Sequence, residues 1–434
     1  MPPIQRTTVV QTLTSLFPTE ALWRSAKATG VVKRVRKVNI VALFWTLVLG
    51  FGVGKLRSLA DLRRAYENRA GTSLEESSFQ DRFTPALARW LRDLAMDVLA
   101  NLTTGPQRLA STLAGFRDLL LIDSTVLRLH NLLQGSFAAC RTNHTKAAAK
   151  LHVVMSVAAC SPTRLKLTPE RTNDRTPWRR VGGWVKDCLM LFDLGYFGYH
   201  NFVLIHENGG FFISRLKANA NPRIVAQNRL WRGRSKPVVG LNLRDAVVGL
   251  QREVLDVDVE VGFDRRVYDG KRRRDRHVFR VVGVFDEKTR AYHLFMTNVP
   301  ADRLEGADIA ETYRLRWQIE LLFKELKQHY RLDQIPSGKK VVVEALIFAA
   351  VLTLVASHAL LDAARRRLPT GRTIPTLRWA AVFDAVAPGL LTMVIDTITP
   401  RRGTTDPWLV LLAQAVDPNL ARPYALAERV CYAH

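Results

Sequence analysis

The chain has 434 residues, with 64 Lys plus Arg against 39 Asp plus Glu, a formal charge of +25. That length suits two or three domains. So large a cationic excess points to a polyanion as partner, bound through counterion release and with strong salt dependence. The charge is spread along the chain instead of gathering beside one hydrophobic anchor, which argues against a membrane-surface protein. The four cysteines, Cys140, Cys160, Cys188 and Cys431, form no CxxC pair and have no zinc spacing, so they read as reduced structural residues.

Residues 1–105 read as a helical N-terminal domain. Ala21-Leu22-Trp23 sits in one short helix, and the apolar run Asn39 to Gly54 supports a longer one. That run follows KRVRK and superficially resembles a signal peptide, but it starts far from Met1 and at 16 residues is short for a membrane span. A buried helix is the expected form, and with no targeting signal evident a cytoplasmic location is expected. SLADLRRAYENRAG and SLEESSFQDRF suggest two helices around Gly71, with Ser73 as N-cap and Glu76 completing a capping box. A helix–turn–helix DNA contact through Arg57, Arg63, Arg64, Arg69 and Arg82 is one reading, and arginines that merely solvate helix surfaces are the other.

From about 106 to 217 the pattern changes to short apolar runs: LLLID, VLRLH, LHVVMSV, RLKLT, LMLFD, a short helix near Tyr199 to His206, then GFFISRLK. Asp123 follows Leu119 to Ile122, with a tight turn and a second strand expected after it. Asp193 follows the run Leu189 to Phe192. A polar residue at the end of a buried strand is where open sheets expose chemistry. The interval 218–300 has its own strand signals in EVLDVDVEVGF, HVFRVVGVF and AYHLFMTNV, and reads as a β-rich insertion. Lys271, Arg272, Arg273 and Arg274 follow Asp269-Gly270, placing a basic run in or beside a hairpin turn where it could hold a DNA backbone. Trp231, flanked by Arg232 and Arg234, could stack on a base, although burial is its commoner fate. Residues 301–367 are helical. Val341 to Leu361 is long enough to span a membrane but is interrupted by Glu344, Ser357 and His358, so a core helix is expected. The tail, 368–434, carries one further helix expected to end near Pro388-Gly389.

The most informative segment is ETYRLRWQIELLFKELKQHY. On one continuous helix, Tyr313, Arg316, Glu320 and Lys327 fall on one face, with Leu315, Ile319, Leu322 and Leu326 as a separate apolar stripe. A carboxylate flanked by Arg and Lys suits a site that binds a metal ion and grips phosphates together. This segment resembles the Y-R-E-K signature of DDE transposases of bacterial insertion sequences, of the insertion-sequence-four type. The resemblance implies an α/β, RNase H-like catalytic core interrupted by the β-rich insertion. It also implies two upstream aspartates, for which Asp123 and Asp193 are the candidates.

Three carboxylates brought together repel one another unless cations neutralise them, and hard oxygen ligands favour Mg²⁺ or Mn²⁺. Two ions about 4 Å apart would activate a water or a 3′-hydroxyl and stabilise the leaving oxygen. By resemblance, Asp123 would bridge both ions, with Asp193 and Glu320 each completing one side. Tyr313, Arg316 and Lys327 would contact phosphates of double-stranded DNA at the element's ends. A homodimer on paired ends, a DNA hairpin intermediate and a nucleoid-associated, cytoplasmic setting are likewise implied. Asp174 competes for the second acid from an expected loop, and Asp118 for the first from the far end of its strand. His130, His144, His200 and His206 are scattered, and Ser124 and Thr125 lack a GxSxG context. The function expected is DNA cleavage at element ends followed by strand transfer. A catalytically silent DNA-binding regulator, or a nuclease of the same fold that does not join, are the alternatives.

Overall fold

The computed structural model describes residues 7–398 apart from 35–37, 55, 71–73, 103–108, 110, 141–144, 179–180, 230–236, 251, 269–270 and 370–371. Trp231, His144 and Cys431 therefore lie outside the described residues. The N-terminal segment is helical, as expected: α1 (Thr7–Leu16), α2 (Thr19–Ala28), α3 (Ile40–Thr46), α4 (Leu59–Ala70), α5 (Glu76–Gln80) and α6 (Pro85–Leu102). The Asn39 side chain starts α3 by accepting from the backbone N–H groups of Val41 and Ala42, at 3.0 and 3.2 Å. Every residue of α3 is buried, as is the π-helical turn Leu47–Phe51 that continues it. An all-round apolar helix has to be a core helix.

Two N-terminal expectations change. Ser73 lies outside the described residues, and α5 opens at Glu76 with Glu75 in the cap position and no side-chain cap. Arg57 donates to the carbonyl oxygens of Arg331 (2.9 Å) and Gln334, and Arg63 to that of Leu74 (3.1 Å). These two arginines fasten loops to the body of the protein.

One nine-stranded sheet runs through the molecule in the order β3-β2-β1-β4-β5-β9-β8-β7-β6. The strands are β1 (Asp118–Leu129), β2 (Ala147–Ser156), β3 (Ser161–Pro169), β4 (Cys188–Phe192), β5 (Phe211–Arg215), β6 (Arg223–Gln227), β7 (Val254–Tyr268), β8 (Lys271–Asp286) and β9 (Ala291–Thr297), with α7 (Tyr199–Glu207) between β4 and β5 and α8 (Leu243–Val247) between β6 and β7. β1, β2 and β3 form an antiparallel meander, while β1, β4 and β5 run parallel. Such a mixed sheet with helices is consistent with an RNase H-like core. The β-rich region 218–300 is continuous with this sheet, because β9 pairs with β5 on one side and β8 on the other. The expected break after Asp123 is also absent. β1 runs 12 residues straight through it, held by pairing of Asp123 with Val153 and of Ser124 with His152.

Alternation along β1 sorts two cores. Leu119, Leu121, Leu127 and Leu129 join the larger cluster, beneath the N-terminal helices and α11 (Lys340–Arg365). Leu120 and Ile122 face a second cluster that includes Phe192, Phe202, Phe212 and Phe279. α11 is long and apolar enough to cross a membrane, yet 83% of its most apolar window is buried inside the protein, so it is a core helix here. The last helix among the described residues, α12 (Thr376–Ile398), runs through Pro388 instead of ending there, and it also passes the length and hydropathy test for a span. Proline inside a helix costs about 3 kcal/mol. Burial of Trp379, Phe383, Leu390, Leu391 and Val394 along α12 offsets that cost.

Gly52 follows the π-helical turn, and a Cβ there would meet Thr353 Oγ1 on α11 at 1.7 Å. Thr353 spends that hydroxyl on the carbonyls of Val48 and Ala349. Gly52→Ala should therefore lower stability by about 1–3 kcal/mol through overpacking. A thermal melt reads this directly, and a Tm within a degree of wild type would contradict the packing described.

Candidate active site

The parallel register between β1 and β4 builds the site. Ile122 pairs with Phe192, the last residue of β4, so Asp123 and Asp193 come next to each other as β1 continues and β4 stops. Beyond β4 the chain enters a 3₁₀ turn, Leu194–Tyr196, which Asp193 caps by accepting from the Gly195 N–H at 3.5 Å. Asp123 shares its face of β1 with Leu121 and Leu127, the face covered by helices.

The third acid arrives on α10 (Trp317–Gln328), which packs over β1. Ile319, Leu322 and Leu326 are buried as its apolar stripe, and Leu315 just ahead of it is buried too. The predicted single helix is in fact two. α9 (Gly306–Arg314) ends before α10 begins, and the junction is held by i to i−3 bonds, Leu315 N–H to Thr312 and Arg316 N–H to Tyr313, both 3.1 Å. This break rotates Tyr313 away from the row. It is 8% exposed, and its hydroxyl donates to the Phe192 carbonyl at 2.9 Å, clamping α9 to the backbone just before Asp193. Burial pushes its phenol up to about 12. The structure thus gives Tyr313 a buried partner where the sequence suggested an outward phosphate contact.

Arg316, at the start of α10, stands between two of the acids. Its Nη1 donates to Asp123 Oδ2 at 3.2 Å and its Nη2 to Glu320 Oε1. The side chains of Arg316 and Asp123 are each 18% exposed, and that of Glu320 is 33% exposed. Burial raises the Asp123 carboxyl to about 6, with the charges of Asp193 and Glu320 adding to the rise. The Ser124 N–H and Arg316 oppose it. Lys327 is half-buried near Arg128 of β1 and Asp333, with burial lowering its pKa.

The donor chemistry of Asp123, Asp193 and Glu320 fits a hard divalent cation. Among the described residues no three acidic, His or Cys side chains converge closely enough to enclose one in this arrangement. Arg316 supplies the positive charge there instead.

The rival acids fall elsewhere. Asp174 accepts from Ser124 Oγ (3.2 Å) and Lys150 Nζ (2.8 Å). Ser124 points to the opposite face from Asp123, so Asp174 lies on the far side of the sheet. Asp118 sits at the start of β1, accepting from Ser156 Oγ at 2.6 Å and the Ala158 N–H at 3.2 Å. The basic run opens β8. Arg273 and Arg274 are exposed, opposite Arg265 and Asp264 of β7, on a strand four places from β1 in the sheet, while the side chains of Lys271 and Arg272 lie outside the described residues.

Two nearby residues escaped the sequence reading. Trp317, 58% exposed, stands beside Arg316 at the head of α10, and Arg215 lies exposed at the end of β5 with its charge acting on Tyr313. The signal for Trp317 was present, since it is the large aromatic between Arg316 and Glu320. Nothing in the sequence singled out Arg215.

A carboxyl raised to about 6 binds its proton in the folded state between the ordinary aspartate value near 3.9 and 6, where the unfolded chain has lost it. Wild-type stability is therefore lost as pH rises through that window. Asp123→Asn should be more stable than wild type by about 2–3 kcal/mol at pH 8. The difference should shrink towards zero near pH 4. Denaturant titrations at the two pH values check this, and equal midpoints at pH 8 would contradict it.

Residues 114–356 match the family model described as transposase DDE domain, more than half of the chain. The chain is 19% identical to the transposase for insertion sequence element IS231B of Bacillus thuringiensis subsp. berliner, over 76% of this chain and 74% of that one. It is also 19% identical to the IS231D transposase of Bacillus thuringiensis subsp. finitimus, again over 76% and 74%. With the transposase for insertion sequence element IS421 of Escherichia coli it shares 37% identity over 18% of this chain and 21% of that one. The chain belongs to the DDE transposases of insertion sequences, and is an enzyme of that type.

Proposed function

We propose that this transposase cuts double-stranded DNA at the ends of its element and joins the freed 3′-hydroxyl to target DNA, using Asp123, Asp193 and Glu320 to hold two Mg²⁺ or Mn²⁺ ions. The observation that carries this is the meeting of Asp123 with Asp193 at the end of β4, with Glu320 brought over them by α10 and linked to Asp123 through Arg316. When bound, the ions would activate the attacking oxygen and stabilise the leaving one.

The chain's own residues then have distinct tasks. Arg316 neutralises Asp123 and Glu320 until cations do so, and its planar fork is then free for a phosphate. Lys327 presents a point charge near the downstream half of β1. Tyr313 keeps the Asp193 backbone in place through Phe192. Trp317 offers an exposed ring to a base beside the scissile phosphate. Lys271, Arg272, Arg273 and Arg274 supply a second DNA contact at the start of β8, consistent with a chain of charge +25. Assembly as a dimer on paired ends, a hairpin step and a nucleoid-associated location complete the proposal.

The test is Mg²⁺-dependent cleavage and joining of DNA carrying the inverted repeats that flank the gene, comparing wild type with Glu320→Gln. Gln keeps the size and hydrogen-bonding shape while removing the charge. Both reactions should fall by at least about 10³-fold, the scale of losing charge stabilisation in a buried site, with end binding intact. Unchanged cleavage would remove Glu320 from the site. Cleavage without any joined product would identify a nuclease, and binding without cleavage by wild type a silent regulator.

A further inference from the structure

We propose that Glu325 and His358 form a buried clasp that holds one acidic proton and positions α10, so that the placement of Glu320 fails as rising pH removes that proton. The inference rests on the catalytic reading of Glu320.

Glu325 lies on α10 five residues beyond Glu320 and is completely buried. Its Oε1 accepts from the hydroxyl of fully buried Tyr330 at 2.9 Å. Its Oε2 faces His358 Nε2, from the middle of α11, at 3.0 Å. The other ring nitrogen, Nδ1, is 3.1 Å from the carbonyl oxygen of Cys160, in the turn between β2 and β3. A carbonyl only accepts, so Nδ1 must carry a hydrogen. A neutral ring would then point a bare Nε2 lone pair at a buried carboxylate. One further proton between Nε2 and Oε2 removes that conflict, and the clasp ties the catalytic helix to α11 and to the β2–β3 turn together. A buried carboxylate that loses its cation is costly in a way an exposed one is not.

Other polar and charged groups surround the clasp. Tyr330 also faces Ser357 of α11 and feels Asp384 of α12, and Arg365 of α11 acts on His358 from further along its helix. The Cys160 thiol donates to Val157 within its own turn. Burial disfavours the His358 charge, but the Glu325 carboxylate, its hydrogen bond and the Cys160 carbonyl outweigh that and raise the imidazole above its ordinary value. The sign follows. The contribution to stability is complete below the unfolded histidine value near 6.5 and is lost as pH rises through the higher folded value. In between, the unfolding constant rises about tenfold per pH unit.

Glu325→Gln separates this from ordinary packing. Gln can accept from Tyr330 and donate to a neutral His358 Nε2, keeping every bond while removing the need for the proton. The experiment is native-state hydrogen exchange of α10 in the full chain from pH 6 to 9, corrected for intrinsic exchange, with metal-dependent DNA cleavage at saturating DNA measured alongside. In wild type, exchange of α10 should rise by up to about tenfold per pH unit between the unfolded histidine value near 6.5 and the higher folded one, and cleavage should fall over the same window with DNA affinity unchanged. In Glu325→Gln both alkaline limbs should flatten. Identical pH dependence in the two proteins would overturn the clasp. If wild type cleaves no DNA at any pH, the catalytic reading fails, while the exchange comparison still decides whether the proton is there.

Discussion

Arg316 is the interaction on which the site depends. Asp123 and Glu320 come from elements far apart in sequence and are brought together over a sheet whose interior is apolar. Burial raises the Asp123 carboxyl, and the charges of Asp193 and Glu320 add to that rise. A guanidinium that reaches both carboxylates lets the pocket assemble before any ion or DNA enters. Preassembly costs stability at the site, and the large buried core beneath it offsets that cost.

Strand ends and helix ends do the positioning. β4 stops at Phe192 while β1 continues, which brings the two aspartates together without a long loop. The hydroxyl of Tyr313 fixes that stopping point from above, and the 3₁₀ turn after Asp193 fixes it from behind. α10 is held on its buried side by its apolar stripe and by Glu325, so Glu320 is presented from a helix anchored along its length.

Much of this was legible in the chain because burial leaves a local trace. The apolar runs before Asp123 and Asp193 are strands, and the stripe from Leu315 to Leu326 is buried as its spacing indicated. Non-local bonds left no such trace. Asp123-Ser124-Thr125 looks like a turn, and only the ladder with His152 and Val153 keeps it a strand. Periodicity put Tyr313 in line with Arg316, because a bond to the Phe192 carbonyl 121 positions away cannot be seen in a helical wheel. Pro388 signalled an end to α12 that core packing overrode, and the pairing of β9 with β5, 80 positions apart at Phe295 and Arg215, has no local signature either.

On the proposed reading, Asp123, Asp193 and Glu320 share one metal site. The most direct measurement loads the full chain with Fe²⁺ in place of Mg²⁺, adds ascorbate and peroxide, and maps the backbone cuts made by locally generated hydroxyl radicals. Cuts are expected near residues 123, 193 and 320, suppressed by excess Mg²⁺ and abolished together by Asp123→Asn. Cuts elsewhere, or cuts at one of the three segments that survive Asp123→Asn, would contradict a shared site.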